Sequence, residues 1–255
     1  MGSRLFNTAG DKLAVTPFTL PNPGCLSMKF YLTAETGTQY LFAIVRASPE
    51  KVFSIFRRAS DSAIRAGWHI GGVATREVGN QVGTLNAWNS VFLVWGQSPQ
   101  QMDLVINGID AGADTGWEDA YWDTSEADYC SIGSADGGSV SLCRIAQVHI
   151  WDAQDVLRQN DGRPIATELY NGIDPEDIFP QNRSSYWPIQ GIYSPEPDHS
   201  DGQRHLTVSG TTFVDEGPPL ISRAGHVWFP EYTAAAGQAN LMPMFLGPIR
   251  HFGAA

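Results

Sequence analysis

The stretch Asp103-Leu104-Val105-Ile106-Asn107-Gly108-Ile109 decides the fold class. An apolar run enters Asn-Gly and leaves on Ile109. Asn-Gly supplies the positive φ values that a two-residue type I′ turn between antiparallel strands requires. Working outward, short runs rich in Val, Ile, Phe, Tyr and Trp recur between Gly, Pro, Asn and Asp clusters, and helical periodicity is scarce. This pattern predicts an all-β sandwich or barrel. The expected strands are Leu26–Leu32, Tyr40–Ala47, Val52–Arg58, Gly67–Gly71, Ser90–Gly96, Gln101–Ile106, Asp128–Gly133, Arg144–Trp151 and His205–Val208.

A second hairpin is expected where Tyr129–Ser134 and Ser139–Val148 flank Ala135-Asp136-Gly137-Gly138. It would set Cys130 and Cys143 roughly opposite each other, which leaves a cross-strand disulfide open beside buried free thiols. The three cysteines are odd in number and form no C-x-x-C pair, which favours the thiols and gives no sign of zinc. The one helical segment runs from Pro164 to Gly172, with proline in its first turn and glycine as its stop, and is expected at the sandwich edge.

At 255 residues and 42% hydrophobic, the chain can bury a substantial core, and a net charge of −11 argues against nucleic acid or an anionic membrane as partner. The opening MGSRLFNTAG has no apolar stretch of signal-peptide length, and no run approaches the ~20 apolar residues of a membrane span. Phe6 stands where a myristoylation motif needs Ser or Thr. These features predict a soluble protein made in a cytoplasm.

Several motifs in order carry a resemblance: Val91-Phe-Leu-Val-Trp95, Leu104-Val-Ile-Asn-Gly108, Ser131-Ile-Gly133, Ile145-Ala-Gln-Val-His-Ile-Trp151, Asn171-Gly172 and Tyr186-Trp-Pro-Ile-Gln-Gly191. From about Leu26 to Gly191 the chain resembles laminin-G-like jelly rolls of the concanavalin A-like lectin and glucanase superfamily. It looks most like versions found in virion proteins of tailed bacteriophages, in which a segment like His205-Leu-Thr-Val-Ser-Gly-Thr-Thr212 precedes a Pro-Pro pair, here Pro218-Pro219. The resemblance implies a two-sheet antiparallel jelly-roll sandwich with a structural or adhesive role. The expected layout is a jelly-roll domain over residues 1–217 and an extended C-terminal arm over 218–255.

Catalytic signals are absent. Retaining glycosidases need two carboxylates about 5 Å apart, yet the Glu-x-Asp of Glu196-Pro-Asp198 contains a proline in a loop-like stretch, and Glu118-Asp119 are adjacent. There is no G-x-S-x-G, H-E-x-x-H or phosphate loop. His149 lies in an apolar strand and reads as a satisfied core or interface residue, while His199 and His205 flank an acidic loop as weak metal candidates.

No Lys or Arg occurs between Arg76 and Arg144, an interval holding Glu77, Asp103, Asp110, Asp114, Glu118, Asp119, Asp123, Glu126, Asp128 and Asp136. Such a run is either a solvated acidic loop or a Ca²⁺ site, and it lacks the alternating Asp pattern of a dedicated calcium loop. Within it, Trp117, Glu118, Asp119, Tyr121, Trp122 and Asp123 interleave aromatic rings with carboxylates. Rings stack on sugars and carboxylates accept hydroxyl hydrogen bonds, so this is the glycan-binding candidate. The alternative is that the rings anchor the loop to the sandwich.

Residues 218–255 hold only Arg223, Glu231 and Arg250 as formal charges and five prolines, at 218, 219, 230, 243 and 248. A segment this apolar and this broken is expected to run extended over a surface, its own or a neighbour's, with Trp228, Phe229, Phe245 and Phe252 as anchors. The expected function is a non-enzymatic virion protein, decorating the capsid or attached to the tail, homo-oligomeric and docked on other virion subunits after assembly in the host cytoplasm. A free carbohydrate-binding lectin module is the alternative, and a glucanase-like hydrolase the third.

Overall fold

The computed structural model of the chain describes residues 2–71, 73–97, 100–116, 122–135, 141–152, 163–178 and 182–220. The described strands are β1 (Ser3–Phe6), β2 (Lys12–Val15), β3 (Gly24–Leu32), β4 (Gln39–Ala47), β5 (Glu50–Arg57), β6 (Ala63–Ile70), β7 (Val73–Val82), β8 (Trp88–Gln97), β9 (Gln100–Ile106), β10 (Ile109–Asp114), β11 (Tyr129–Ile132), β12 (Cys143–Asp152), β13 (Arg183–Trp187), β14 (Thr207–Ser209) and β15 (Thr212–Val214). One helix, α1, covers Arg163–Tyr170.

The strands form two antiparallel sheets. The eight-stranded sheet runs β10-β9-β8-β3-β12-β1-β15, with β13 also beside β12, and the seven-stranded sheet runs β14-β2-β11-β4-β5-β6-β7. The expected jelly-roll sandwich is the observed architecture. Asn107 and Gly108 have φ of 53° and 74°, the paired positive values of the turn read from the sequence, and Ile106 faces Ile109 across it.

The second expected hairpin does not form. β11 pairs with β2 and β4 in one sheet, whereas β12 pairs with β1, β3 and β13 in the other. Gly133, at φ 83°, turns the chain out of β11, and the connection changes sheets. Cys130 and Cys143 therefore belong to opposite layers, and all three cysteines are buried free thiols. Burial pushes each thiol's pKa upward.

Alternation fills the space between the sheets. From one side come Phe42, Ile44, Phe53, Ile55, Ile64 and Trp68, and from the other Leu26, Met28, Phe30, Leu93, Trp95 and Leu104, all buried. Phe53 is the hub of an aromatic cluster, with ring centroids 4.8 Å from Trp68, 5.6 Å from Trp95 and 6.2 Å from Phe42. Such tilted and edge-on pairs add to the burial term.

A second, smaller core lies on the outside of the eight-stranded sheet. Ile165, Ala166 and Leu169 of α1, together with Ile178, pack on Cys25, Phe92, Val94, Val105 and Trp151. The helix thus covers a sheet face, not the expected edge. Lys29, buried on that face, donates to the Leu169 carbonyl at the helix C-terminus, and desolvation lowers its pKa to about 8. No helix among the described residues is long and apolar enough to cross a membrane.

Candidate functional site

The predicted glycan loop is described only in part. Trp117, Glu118, Asp119 and Tyr121 lie outside the described residues. Trp122 is 5% exposed, sits edge-on to Trp68 at 5.5 Å and has Lys51 Nζ 5.7 Å above its ring. Asp123 caps a short 3-10 turn by accepting from the Ser125 amide, and it also accepts from Thr19 Oγ1 at 2.9 Å. Thr124 Oγ1 donates to Phe18 O and accepts from Leu20 N, which binds this turn to the strand-free segment before β3. Trp122 and Asp123 are thus engaged in holding the loop to the sandwich.

The acidic run is similarly dispersed. Asp110 accepts from the Gly112 amide, Asp114 from the Gly116 amide, Glu126 pairs with Arg46, and Asp128 accepts from the Ala47 amide. Among the described residues no three His, Cys, Asp or Glu side chains converge as a metal would require, so the described part of the run does not fit a Ca²⁺ ion.

Glu196 and Asp198 are structural. Glu196 is fully buried against Arg4, while Asp198 accepts from the Tyr186, Ser200 and Arg204 amides. His205 Nδ1 accepts from the Asp198 amide and His199 faces Glu176 at 3.5 Å. His149 is buried as expected but not satisfied. It is stacked between Trp151 (3.7 Å) and Tyr186 (4.7 Å), and neither ring nitrogen has a hydrogen-bond partner among the described residues. Burial holds its pKa well below the usual histidine value.

The arrangement best suited to binding lies on the outer face of the seven-stranded sheet, where pairing lines residues into rows across the strands. One row is Tyr40, Phe56 and Arg65; the next is the small residues Ala14, Ser131, Ala43, Ser54 and Gly67; the third is Tyr129, Val45, Val52 and His69. Small side chains thus lie between two larger rows, and Phe56 and His69 of those rows meet across Ser54 and Gly67. Ala135 packs over Ala43 and Val45, so the chain itself covers the middle of the small row.

At the β5 to β7 end the face is aromatic and charged. Phe56 lies 5.7 Å from Tyr40 and 5.8 Å from His69. Glu77 accepts from Arg58 at 2.6 Å, with Arg65 Nε at 3.2 Å, while Arg65 Nη2 reaches Asp61 at 2.6 Å. The hydrogen bond from Arg65 chiefly holds the Asp61 carboxyl below its usual range. Ser54 Oγ and His69 Nε2 are shielded from solvent without a partner among the described residues. Desolvation lowers the His69 pKa, so its ring is neutral at pH 7. Sequence reasoning passed over this group; the available signal was the alternation of Arg65, Gly67 and His69 against Ile64, Ala66 and Trp68.

No known protein family matches the chain's sequence, and no curated protein matches it. Among solved structures, a Bacteroides ovatus protein proposed to bind carbohydrate superposes with a TM-score of 0.60 at 13% identity, over 86% of this chain. The chain spans 61% of that protein's length. A Caenorhabditis elegans galectin gives 0.39 at 11% identity, covering 58% of this chain and 94% of its own. The CBM40 of the Ruminococcus gnavus IT-sialidase, bound to α2,6-sialyllactose, gives 0.40 at 12% identity, covering 57% and 90%. At 13% identity the likeness to the Bacteroides ovatus protein is one of fold alone.

Proposed function

We propose that the chain is a non-enzymatic, lectin-like carbohydrate-binding β-sandwich whose sugar-contacting surface is the outer face of the seven-stranded sheet around Arg65, His69 and Glu77. The observation that carries this reading is the juxtaposition of the Tyr40–Phe56–His69 ring series with the Arg58, Asp61, Arg65 and Glu77 network on one sheet face. Rings offer flat apolar surface to sugar C–H groups, and paired charges offer donors and acceptors to neighbouring hydroxyls. Because the arginines are already held by the carboxylates, little side-chain entropy is lost when a hydroxyl joins them. The fold shared with a protein itself proposed to bind carbohydrate supports the same reading.

The non-enzymatic part rests on the carboxylates. Asp61 is held ionised, the opposite of what a general acid needs, and Glu196 and Asp198 are committed to structural bonds. The narrower assignment, a bacteriophage virion protein on capsid or tail with other virion subunits as partners, is supported by the order of the sequence motifs. Mass spectrometry of purified particles tests it.

A glycan array followed by calorimetry on the full chain tests the binding surface. Arg65→Met and Glu77→Gln should each weaken a bound glycan at least ~10-fold, the loss of one or two charge-assisted hydrogen bonds. The reading fails if no glycan is retained, or if both variants bind like the parent. Release of reducing ends from a bound polysaccharide would overturn the non-enzymatic part.

A further inference from the structure

The charged side chains beside His69 close on themselves. Arg58 Nη2 donates to Glu77 Oε1 at 2.6 Å, and Arg65 Nε lies 3.2 Å from the same oxygen. Arg65 Nη2 in turn donates to Asp61 Oδ2 at 2.6 Å, and Arg58 Nη1 lies 3.9 Å from that oxygen. One turn and two strands build this circuit. Asp61 accepts from the Ala63 amide in the β5–β6 turn, which sets its carboxylate between Arg58 and Arg65. Gly67 lets β7 come close, since a Cβ there would meet the Arg76 carbonyl oxygen at 2.3 Å. Glu77, the register partner of Gly67, is thereby seated beside Arg65.

Such a circuit has no cation to spare. An anionic group reaching either guanidinium must displace a carboxylate held at 2.6 Å, and the displaced carboxylate then faces a second negative charge. Glu50 adds to the same field, acting on His69 together with Glu77 and Arg58. Arg58 and Arg65 thus stand against Asp61, Glu77 and Glu50, in a chain whose net charge is −11. Arg223 and Arg250 of the C-terminal arm, like its expected anchors Trp228, Phe229, Phe245 and Phe252, lie outside the described residues.

A hydroxyl meets no such conflict. Each guanidinium has more N–H donors than the circuit uses, and both arginine contacts of Glu77 are made by Oε1, which leaves Oε2 to accept. The unmet polar capacity on this face is uncharged as well: the buried Ser54 Oγ and Nε2 of the His69 ring have no partner among the described residues.

On the premise that this face binds carbohydrate, we propose that the sugar it takes is uncharged, and that Asp61 and Glu77 are the residues that turn acidic sugars away. Neutralising those two carboxylates frees Arg58 and Arg65 and reverses the preference.

An array of uncharged, carboxylated and sulfated glycans, followed by calorimetry on the full chain, tests this. The parent should retain uncharged glycans and no acidic one, with an affinity that changes less than about 2-fold between about 20 and about 500 mM NaCl. Asp61→Asn/Glu77→Gln should gain affinity for carboxylated or sulfated glycans by at least ~10-fold, a gain that added salt removes. The charge-matched control Asp201→Asn/Asp215→Asn, altered at exposed positions outside the circuit, should bind as the parent does. A parent that prefers an acidic glycan overturns the inference, and leaves the carbohydrate reading in place where Arg65→Met loses that glycan. An Asp61→Asn/Glu77→Gln protein that keeps the parent's circular dichroism and gains nothing also overturns it, as does a control that gains equally. If the variant does not fold, the parent's preference decides alone. A parent that retains no glycan brings down the carbohydrate reading and the inference together.

Discussion

Arg4 and Glu196, 192 positions apart in the chain, meet as a buried ion pair with Nε 2.7 Å from Oε1. The same carboxylate oxygen accepts from the Gly191 amide, and Arg4 also reaches Thr211 Oγ1 and the Tyr193 carbonyl. One guanidinium therefore ties β1 to the loop between β13 and β14 and to the turn before β15.

Removing one partner strands the other charge without water. Arg4→Met is expected to lower the unfolding free energy by ~3–5 kcal/mol, and Arg4→Met/Glu196→Leu to recover most of it, since an apolar pair of similar volume replaces a buried ion pair at little cost. Urea denaturation of the three proteins decides the matter. A double variant no more stable than the single one refutes it.

His149 sets a pH response. Its folded-state pKa lies below the unfolded value of 6.5, so as pH falls through 6.5 the unfolded chain takes up the proton first and stability declines. The contribution to the slope is at most ~1.4 kcal/mol per pH unit for one group. His69, lowered in the same direction, adds its own share. His149→Phe keeps a ring between Trp151 and Tyr186 and should flatten the decline between about pH 6.5 and 5. A variant with the parent's slope would show that His149 titrates normally.

Lys29 acts at the alkaline end. Its pKa of about 8 in the folded state against 10.5 unfolded means that the folded protein loses the proton first, so stability should rise between about pH 8 and 10.5. The rise is bounded by roughly 3.4 kcal/mol at 1.36 kcal/mol per unit. Lys29→Met should be more stable than the parent at pH 7 and lack the rise. Identical pH profiles in chemical denaturation would exclude this.

Trp122 behaves as an anchor. Trp122→Ala opens a cavity beside Trp68 and should cost ~3–5 kcal/mol in thermal or urea unfolding. Its glycan affinity, measured below the lowered transition, should stay near that of the parent. Loss of affinity with stability intact would return the ligand to the 117–123 loop.

Legibility in the sequence followed the range of the signal. Asn107-Gly108 states its turn in two residues, and Pro164 and Gly172 bound the helix just as locally, so both were readable. β7 went unread because Arg76, Glu77, Asn80 and Gln81 dilute its apolar residues, and bulges opposite β6 interrupt the alternation. The segments around Ala135 to Gly138 looked like a hairpin because each flank is strand-like. Which sheet each flank joins depends on partners more than 80 residues away, such as Val45 for Tyr129 and Arg4 for Ile145. The charged network was hidden for the same reason, being assembled from the β5–β6 turn, β6 and β7. The burial of His149 was evident from its apolar neighbours, whereas the lack of partners for its nitrogens was not.

The small outer core beneath α1 shares no side chain with the core between the sheets. Among the described residues its fastenings include the Lys29 donation to Leu169, the Trp151 indole donation to Ile178 and the apolar contacts of one short helix. Loosening it needs no separation of the two sheets. Amides of α1 should accordingly exchange with solvent through a partial opening of lower free energy, while those of β3, β4 and β12 wait for global unfolding, so that the molecule opens in two steps.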